Sequence, residues 1–225
     1  MKLAILSESP ADEAALKVLV GYVLGTEFSL ITPSLRARGW PSVEQVLPPI
    51  LRHLHFNTDA HGLVVVCDSD DSPVHTAEHE APGYHHPLCR VCRLRSVFRR
   101  TMKNLPPARG RRGPLRAIGV AVPAIEAWLL CGRETEVTEA AWIAGQASGI
   151  PPYTRRDLKA RVYGTTRPSL PWEIKRAVEE VARHRGDVRR LENDFPHCFG
   201  VLARDLRAWL APAPKDGDGG AASTR

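Results

Sequence analysis

A continuous run of apolar residues, Leu63–Cys67, ends abruptly in the acidic segment Asp68–Asp71. A strand that is apolar at every position is buried on both faces, which is typical of a parallel sheet covered by helices. Polar residues directly after such a strand lie at the carboxyl edge of the sheet, where α/β proteins bind ligands. This one segment therefore predicts an α/β fold with an acidic edge.

The first two-thirds of the chain alternates strand-like and helix-like segments. Strands are expected at Lys2–Leu6, Glu27–Thr32, Leu63–Cys67 and Leu115–Val122, and helices after Ser9, after Ser42, over Leu88–Lys103 and from Pro123 to Leu130. This order predicts right-handed βαβ units and a mainly parallel sheet of about four strands flanked by helices. The α/β core is expected to cover residues 1–149.

The last third of the chain predicts helices without strands. Amphipathic helices are expected at Trp172–Arg185 and Pro196–Leu210, within a helical C-terminal extension over 150–210. The final segment, 211–225, combines Ala, Pro, Gly, Ser and charged residues, and is expected to be a disordered tail.

Positive charge is concentrated in one segment. The chain has a net charge of +6, and residues 90–116 contain nine arginines, one lysine and no acidic residue. A local positive field attracts polyanions such as nucleic acids. Alternatively, these arginines form a solvated helix face or pair with acids of the C-terminal helices, such as Glu180 and Asp194. The candidate nucleic-acid-binding residues are Arg90, Arg93, Arg95, Arg99, Arg100, Lys103, Arg111 and Arg112.

Carboxylates follow three of the expected strands. Glu8 comes after the first strand, and Asp68 and Asp70 come after the third. Glu126 lies just beyond the fourth. Carboxylates that meet at one sheet edge repel one another unless a cation shares the site, and oxygen ligands favour Mg²⁺ or Mn²⁺. Each residue alone also fits a solvated turn or helix start, but their repetition predicts a metal site suited to phosphodiester hydrolysis.

These motifs resemble those of the Toprim-like proteins grouped with the overcoming-lysogenization-defect nucleases and the DUF4276 family. There, Glu-x-x-x-Asp/Glu follows strand one, Asp-x-Asp follows strand three, and a motif close to Ile-Glu-Ala-Trp-Leu-Leu follows strand four. The corresponding residues here are Glu8 with Asp12, Asp68 with Asp70, and Glu126, with weaker matches at Lys159 and in segment 195–210. That family often has glycine after the first Glu, whereas this chain has Ser9 and Pro10.

The resemblance implies a Toprim-like, Rossmann-like fold and a divalent-metal-dependent nuclease with a role in phage defence. It makes Glu8 a metal ligand or general acid–base, and Asp68 and Asp70 metal ligands. Glu126 would be an additional ligand, and Lys159 would neutralise charge that develops on the phosphate. The resemblance also implies that a partner ATPase can operate with the protein.

His and Cys residues are concentrated in an insertion over 72–115. Six lie within eighteen residues: His75, His79, His85, His86, Cys89 and Cys92. The Cys-x-x-Cys pair at a helix start predicts a structural zinc site, completed by one or two histidines. His85 and His86 are nearest in sequence, and His75 and His79 would share one helical face. The alternatives are a redox pair of thiols, or His75 acting as a catalytic group at the acidic edge.

Three functions are consistent with these patterns. The first is a Mg²⁺- or Mn²⁺-dependent nuclease that cleaves DNA or RNA. The second is a non-catalytic module with a degenerate Toprim core that binds nucleic acid or regulates a partner. The third is a phosphotransfer protein with Asp68 as the phosphorylated residue. No apolar run reaches the ~20 residues that span a bilayer. The N-terminal residues also lack the basic, apolar and small-residue pattern of a signal peptide, so a cytoplasmic protein without a membrane partner is expected.

Overall fold

The structure is a computed structural model that describes residues 1–108 and 113–211. It confirms the predicted α/β class, with five parallel strands where about four were expected. Two candidate nucleic-acid-binding residues, Arg111 and Arg112, and the predicted tail beyond Ala211 lie outside the described residues.

The sheet has the strand order β2-β1-β4-β5, and β3 pairs with β1 beyond the end of β2. The strands are β1 (Lys2–Ser7), β2 (Ser29–Leu30), β3 (Leu35–Arg36), β4 (Gly62–Asp68) and β5 (Leu115–Ala121). The strand expected at Glu27–Thr32 is present but shorter, as β2, and the additional short strand β3 continues the same edge. Pro33 lies between them and has no N–H to donate to β1, which explains the break.

The helices cover both faces of the sheet. They are α1 (Pro10–Leu24), α2 (Ser42–Asn57), α3 (Arg90–Lys103), α4 (Glu126–Leu130), α5 (Glu139–Ser148), α6 (Arg155–Tyr163), α7 (Leu170–Ala182), α8 (Val188–Asp194) and α9 (Phe199–Ala208). As predicted, α1 begins directly after Ser9, which caps it: the Ser9 hydroxyl accepts a hydrogen bond from Asp12 N at 3.1 Å. Within the described ranges, no helix combines the length and apolar character needed to cross a membrane.

Alternate residues of each strand point into two separate cores. Leu3, Val64 and Val66 pack with α1 and with the helices from α4 to α9. Leu63 and Val65 face the opposite way and pack with α2 and α3. The C-terminal helices therefore form one of the two layers on the sheet.

Candidate metal centre and acidic edge

Four carboxylates that the sequence singled out, Glu8, Asp68, Asp70 and Glu126, lie at the carboxyl ends of β1, β4 and β5, and are called the acidic edge here. Glu8 accepts a hydrogen bond from the backbone N–H of Asp68 at 3.1 Å. The Asp68 carboxylate accepts one from the backbone N–H of Ile125 at 3.0 Å. Because β1, β4 and β5 are neighbours in the sheet, these two bonds connect the ends of all three strands.

The turn after β4 fixes Asp70 in an unusual backbone conformation. Asp70 has φ of 47°, in the left-handed region that costs a non-glycine residue roughly 1 kcal/mol. Ser69 N and Asp70 N both donate to the carbonyl of Pro123, at 3.1 and 3.2 Å. The loop after β5 thus holds the turn in place and directs Asp70 toward the acidic edge.

Two arginines neutralise part of the acidic edge. Arg155, at the start of α6, donates from one nitrogen to Asp68 and from the other to Asp70, so its guanidinium bridges the two carboxylates. Arg90, at the start of α3, lies 2.9 Å from Asp70 Oδ2 and also donates to the carbonyl of Asp68. Sequence reasoning missed Arg155, although it lies four residues before Lys159, one helical turn away.

Lys159, on α6, lies near Glu126 at the acidic edge. Its Nζ atom is 4.0 Å from Glu126 Oε1 and 3.0 Å from Glu173 Oε1. Glu173 comes from α7, so Lys159 connects the acidic edge to the C-terminal layer.

Burial and mutual repulsion raise the pKa of several carboxyl groups around this edge. Burial, followed by the nearby Glu126, raises the pKa of Asp68 well above its usual range. Burial also raises the pKa of Glu126. The same two causes, burial and Glu126, raise the pKa of Asp12 to about 7. Burial and the neighbouring negative charge therefore disfavour the ionised forms of Asp12 and Asp68, and burial disfavours that of Glu126.

The arginine-rich segment divides into an internal and an exposed part. Arg90 reaches the acidic edge, and Arg93 forms a two-pronged ion pair with Glu44. Arg95 contacts both carboxylate oxygens of Glu80 at 2.9 Å. Arg93 thus pairs with an acid of α2. Arg95 pairs with Glu80 of the insertion and also lies 3.6 Å from Asp205 of the C-terminal helix α9, so the alternative of pairing with C-terminal acids holds in part, at Asp205 and not at Glu180 or Asp194. The exposed cations of α3 are Arg99, Arg100 and Lys103.

The insertion brings four metal-ligating side chains together, and His75, His79, Cys89 and Cys92 are called the His/Cys centre here. Their donor atoms all lie within 4.8 Å of one another, and the group could hold a metal such as zinc. His75 Nδ1 is 3.4 Å from Cys89 Sγ and 3.6 Å from Cys92 Sγ. Within residues 1–108 and 113–211, no other set of three or more His, Cys, Asp or Glu side chains converges as closely.

The two histidines nearest in sequence to the cysteines are not part of this centre. His85 is exposed, and the ring of His86 stacks on His79 with centroids 4.8 Å apart. Both cysteines take part as predicted, and their partners are the alternative pair His75 and His79. The reason is geometric, because the chain from His75 to Cys89 folds back so that its two ends meet.

Comparisons of the chain with protein-family models, with curated proteins and with solved structures find no match.

Proposed function

We propose that the protein is a divalent-metal-dependent nuclease whose chemistry takes place at the acidic edge. The observation that carries this proposal is the convergence of carboxylates from three strand ends, where burial raises the pKa values of Asp68 and Glu126. Such a site stores electrostatic repulsion that a divalent cation relieves.

The donor set fits Mg²⁺ or Mn²⁺ in its chemistry. Glu8, Asp68 and Asp70 offer only oxygen ligands, which these ions prefer. In the present arrangement the Arg155 guanidinium fills the gap between Asp68 and Asp70. Its side chain is 50% exposed, so it can turn toward solvent without opening the core. Mg²⁺ or Mn²⁺ at this edge would polarise a phosphate and lower the pKa of a coordinated water.

The surrounding cations favour a phosphate-containing substrate. Arg155 and Lys159 lie on one turn of α6 beside the carboxylates, where they can bind phosphate oxygens. Arg99 and Arg100 lie nine and ten residues along α3 from Arg90, roughly 14–15 Å from the acidic edge at 1.5 Å per residue. A nucleic-acid backbone is long enough to contact both groups, whereas a single nucleotide is not.

The His/Cys centre is proposed to be structural. Four protein ligands close the coordination sphere of a tetrahedral ion and leave no position for a reacting water. The chemistry is therefore assigned to the acidic edge alone. A partner ATPase, which only the resemblance implies, stays a prediction.

A second candidate function is a non-catalytic module that binds nucleic acid. The observation that favours it is the double ion pair of Arg155, which satisfies Asp68 and Asp70 without any metal. The two candidates differ in whether cleavage depends on Asp68.

Incubation of the purified protein with plasmid, single-stranded DNA and tRNA, with Mg²⁺, Mn²⁺ or EDTA, tests the proposal. The nuclease predicts cleavage of at least one substrate with Mg²⁺ or Mn²⁺, and its loss in Asp68→Asn. Asp71→Asn is the matched control, because Asp71 is an exposed neighbour. Binding of nucleic acid without metal-dependent cleavage would support the second candidate instead.

A further inference from the structure

We propose that His75, His79, Cys89 and Cys92 bind one zinc ion in a closed tetrahedral site that ties down segment 71–89. This inference does not rest on the nuclease activity, because it concerns a different set of residues. Four observations support it: the distances between donor atoms, their unmet hydrogen-bonding needs, the groups behind the ligands, and the place of the segment in the fold.

The distances match those of a tetrahedral zinc site. With Zn–S bonds of about 2.3 Å and Zn–N bonds of about 2.0–2.1 Å, tetrahedral angles place a sulfur and a nitrogen ligand roughly 3.6 Å apart. His75 Nδ1 lies 3.4 Å from Cys89 Sγ and 3.6 Å from Cys92 Sγ. All four donors remain within 4.8 Å of one another, so a small inward movement completes the tetrahedron.

Hydrogen bonding alone does not satisfy these atoms. An imidazole nitrogen has either one N–H or one lone pair in the ring plane, so His75 Nδ1 can serve only one of the two thiols well. His79 Nδ1 is buried and has no hydrogen-bond partner among the described residues. A buried polar atom without a partner is costly, and a shared metal ion would satisfy all four groups at once.

The groups behind His75 resemble those that orient metal-binding histidines. His75 Nε2 lies 2.9 Å from Glu80 Oε1, and Arg95 holds both oxygens of Glu80 at 2.9 Å. A carboxylate behind a histidine fixes the orientation of the ring and increases its basicity as a ligand. Nδ1 of His75 is thereby left to face the two sulfurs.

The segment between β4 and α3 has little regular structure of its own to hold it in place. Between β4 and α3, its only regular element among the described residues is one short 3₁₀ turn, Ala77–Glu80. His75 lies five residues after Asp70, and Cys89 directly precedes Arg90. An ion held by His75 and Cys89 would therefore close both ends of the segment and fix Asp70 and Arg90 at the acidic edge.

Elemental analysis of the purified protein and of variants tests the site, with His79→Ala as the ligand variant and His85→Ala as its matched control. We expect about one zinc per chain in wild type and His85→Ala, and at least a tenfold weaker zinc affinity in His79→Ala, since a lost ligand typically costs at least that much. Replacement by Co²⁺ should give the strong visible absorption of tetrahedral thiolate coordination. Chelation should make segment 76–88 sensitive to limited proteolysis.

Several results would overturn the inference. These are wild-type protein without zinc after refolding in excess zinc, octahedral cobalt spectra, or equal zinc affinity in the two histidine variants. The comparison of His79→Ala with His85→Ala and the test on chelated wild type both decide the question without the loss of a buried thiol, so neither depends on a cysteine variant that folds. If zinc binds but chelation does not change the proteolysis of segment 76–88, the proposed role of zinc in holding this segment is wrong.

Discussion

The acidic edge and the His/Cys centre lie on either side of Arg90, and they differ in whether their donor atoms already have charged partners. At the acidic edge, hard oxygen donors come from distant parts of the chain and are already paired with Arg155 and Arg90. At the His/Cys centre, soft donors come from one short segment, and His79 Nδ1 lacks a partner within the described ranges. The carboxylates of the acidic edge can exchange their partners, whereas the four donors of the His/Cys centre already lie within 4.8 Å of one another.

This difference matches the roles proposed for the two sites. Carboxylates that are paired with arginines can exchange those partners for a metal ion or a substrate, as the proposed hydrolytic site requires. Four ligands that surround one position exclude water and stabilise the fold. Substitutions at both sites test this division of roles, and the substitution with the largest expected effect comes first.

The largest effect is expected from loss of a zinc ligand. Cys92→Ser should lower the free energy of unfolding in the presence of zinc by roughly 3–5 kcal/mol, because metal binding contributes directly to folding. Cys131→Ser is the control, since Cys131 is also buried and its Sγ donates to Asp194, a bond that a hydroxyl can keep. Chemical denaturation of both variants measures the difference. Equal losses would show that burial, and not metal binding, accounts for the role of Cys92.

Glu139 shows what burial does to a carboxyl group outside the acidic edge. Its side chain accepts from His197 N, and burial raises its pKa to about 7. A raised carboxyl pKa means that the folded state binds the extra proton, so stability falls as pH rises from about 4.5 through 7. Glu139→Gln should be roughly 3 kcal/mol more stable than wild type at pH 8, and equal to it near pH 4. Denaturation at both pH values measures this, and a constant difference would contradict it.

Sequence reasoning was most successful where the candidate residues directly follow a strand in the sequence. The strand-then-acid pattern placed Glu8, Asp68, Asp70 and Glu126 at one edge, because parallel strands end together. The choice between pairs of histidines needed the fold, since His75 approaches Cys89 only when the insertion closes.

One further feature could not be read from the sequence. Arg155 lies 87 residues from Asp68 along the chain, and nothing local links them. By contrast, α6 lies within the predicted helical extension, and its start has a local signal, because Thr154 and Asp157 form a capping box.

Arg155 is expected to compete with a divalent cation for Asp68 and Asp70. Arg155→Met should tighten Mn²⁺ binding about tenfold, equivalent to about 1.4 kcal/mol, because it removes a positive charge from between the two ligands. Arg156→Met is the matched control, since Arg156 is exposed on the same turn of α6. Isothermal titration gives both affinities. Weaker Mn²⁺ binding in Arg155→Met would show that Arg155 supports the cation site instead.

The smallest effects are expected on α3. Arg100→Ala should reduce the slope of log affinity against log salt for duplex DNA by about one unit, because one phosphate contact is lost. Arg93→Ala should leave the slope unchanged and lower stability by about 1 kcal/mol, because it leaves Glu44 without its ion pair. Binding at several salt concentrations and thermal denaturation separate the two. A slope that changes only in Arg93→Ala would reverse the assignment of internal and exposed arginines.

Metal content after dialysis against Zn²⁺ and Mn²⁺ together tests most directly whether the two sites hold different ions. Wild type should bind one zinc and one manganese, Asp68→Asn should lose manganese alone, and His79→Ala should lose zinc preferentially. Loss of both metals from Asp68→Asn with the fold intact, or manganese binding that does not depend on Asp68, would contradict the account.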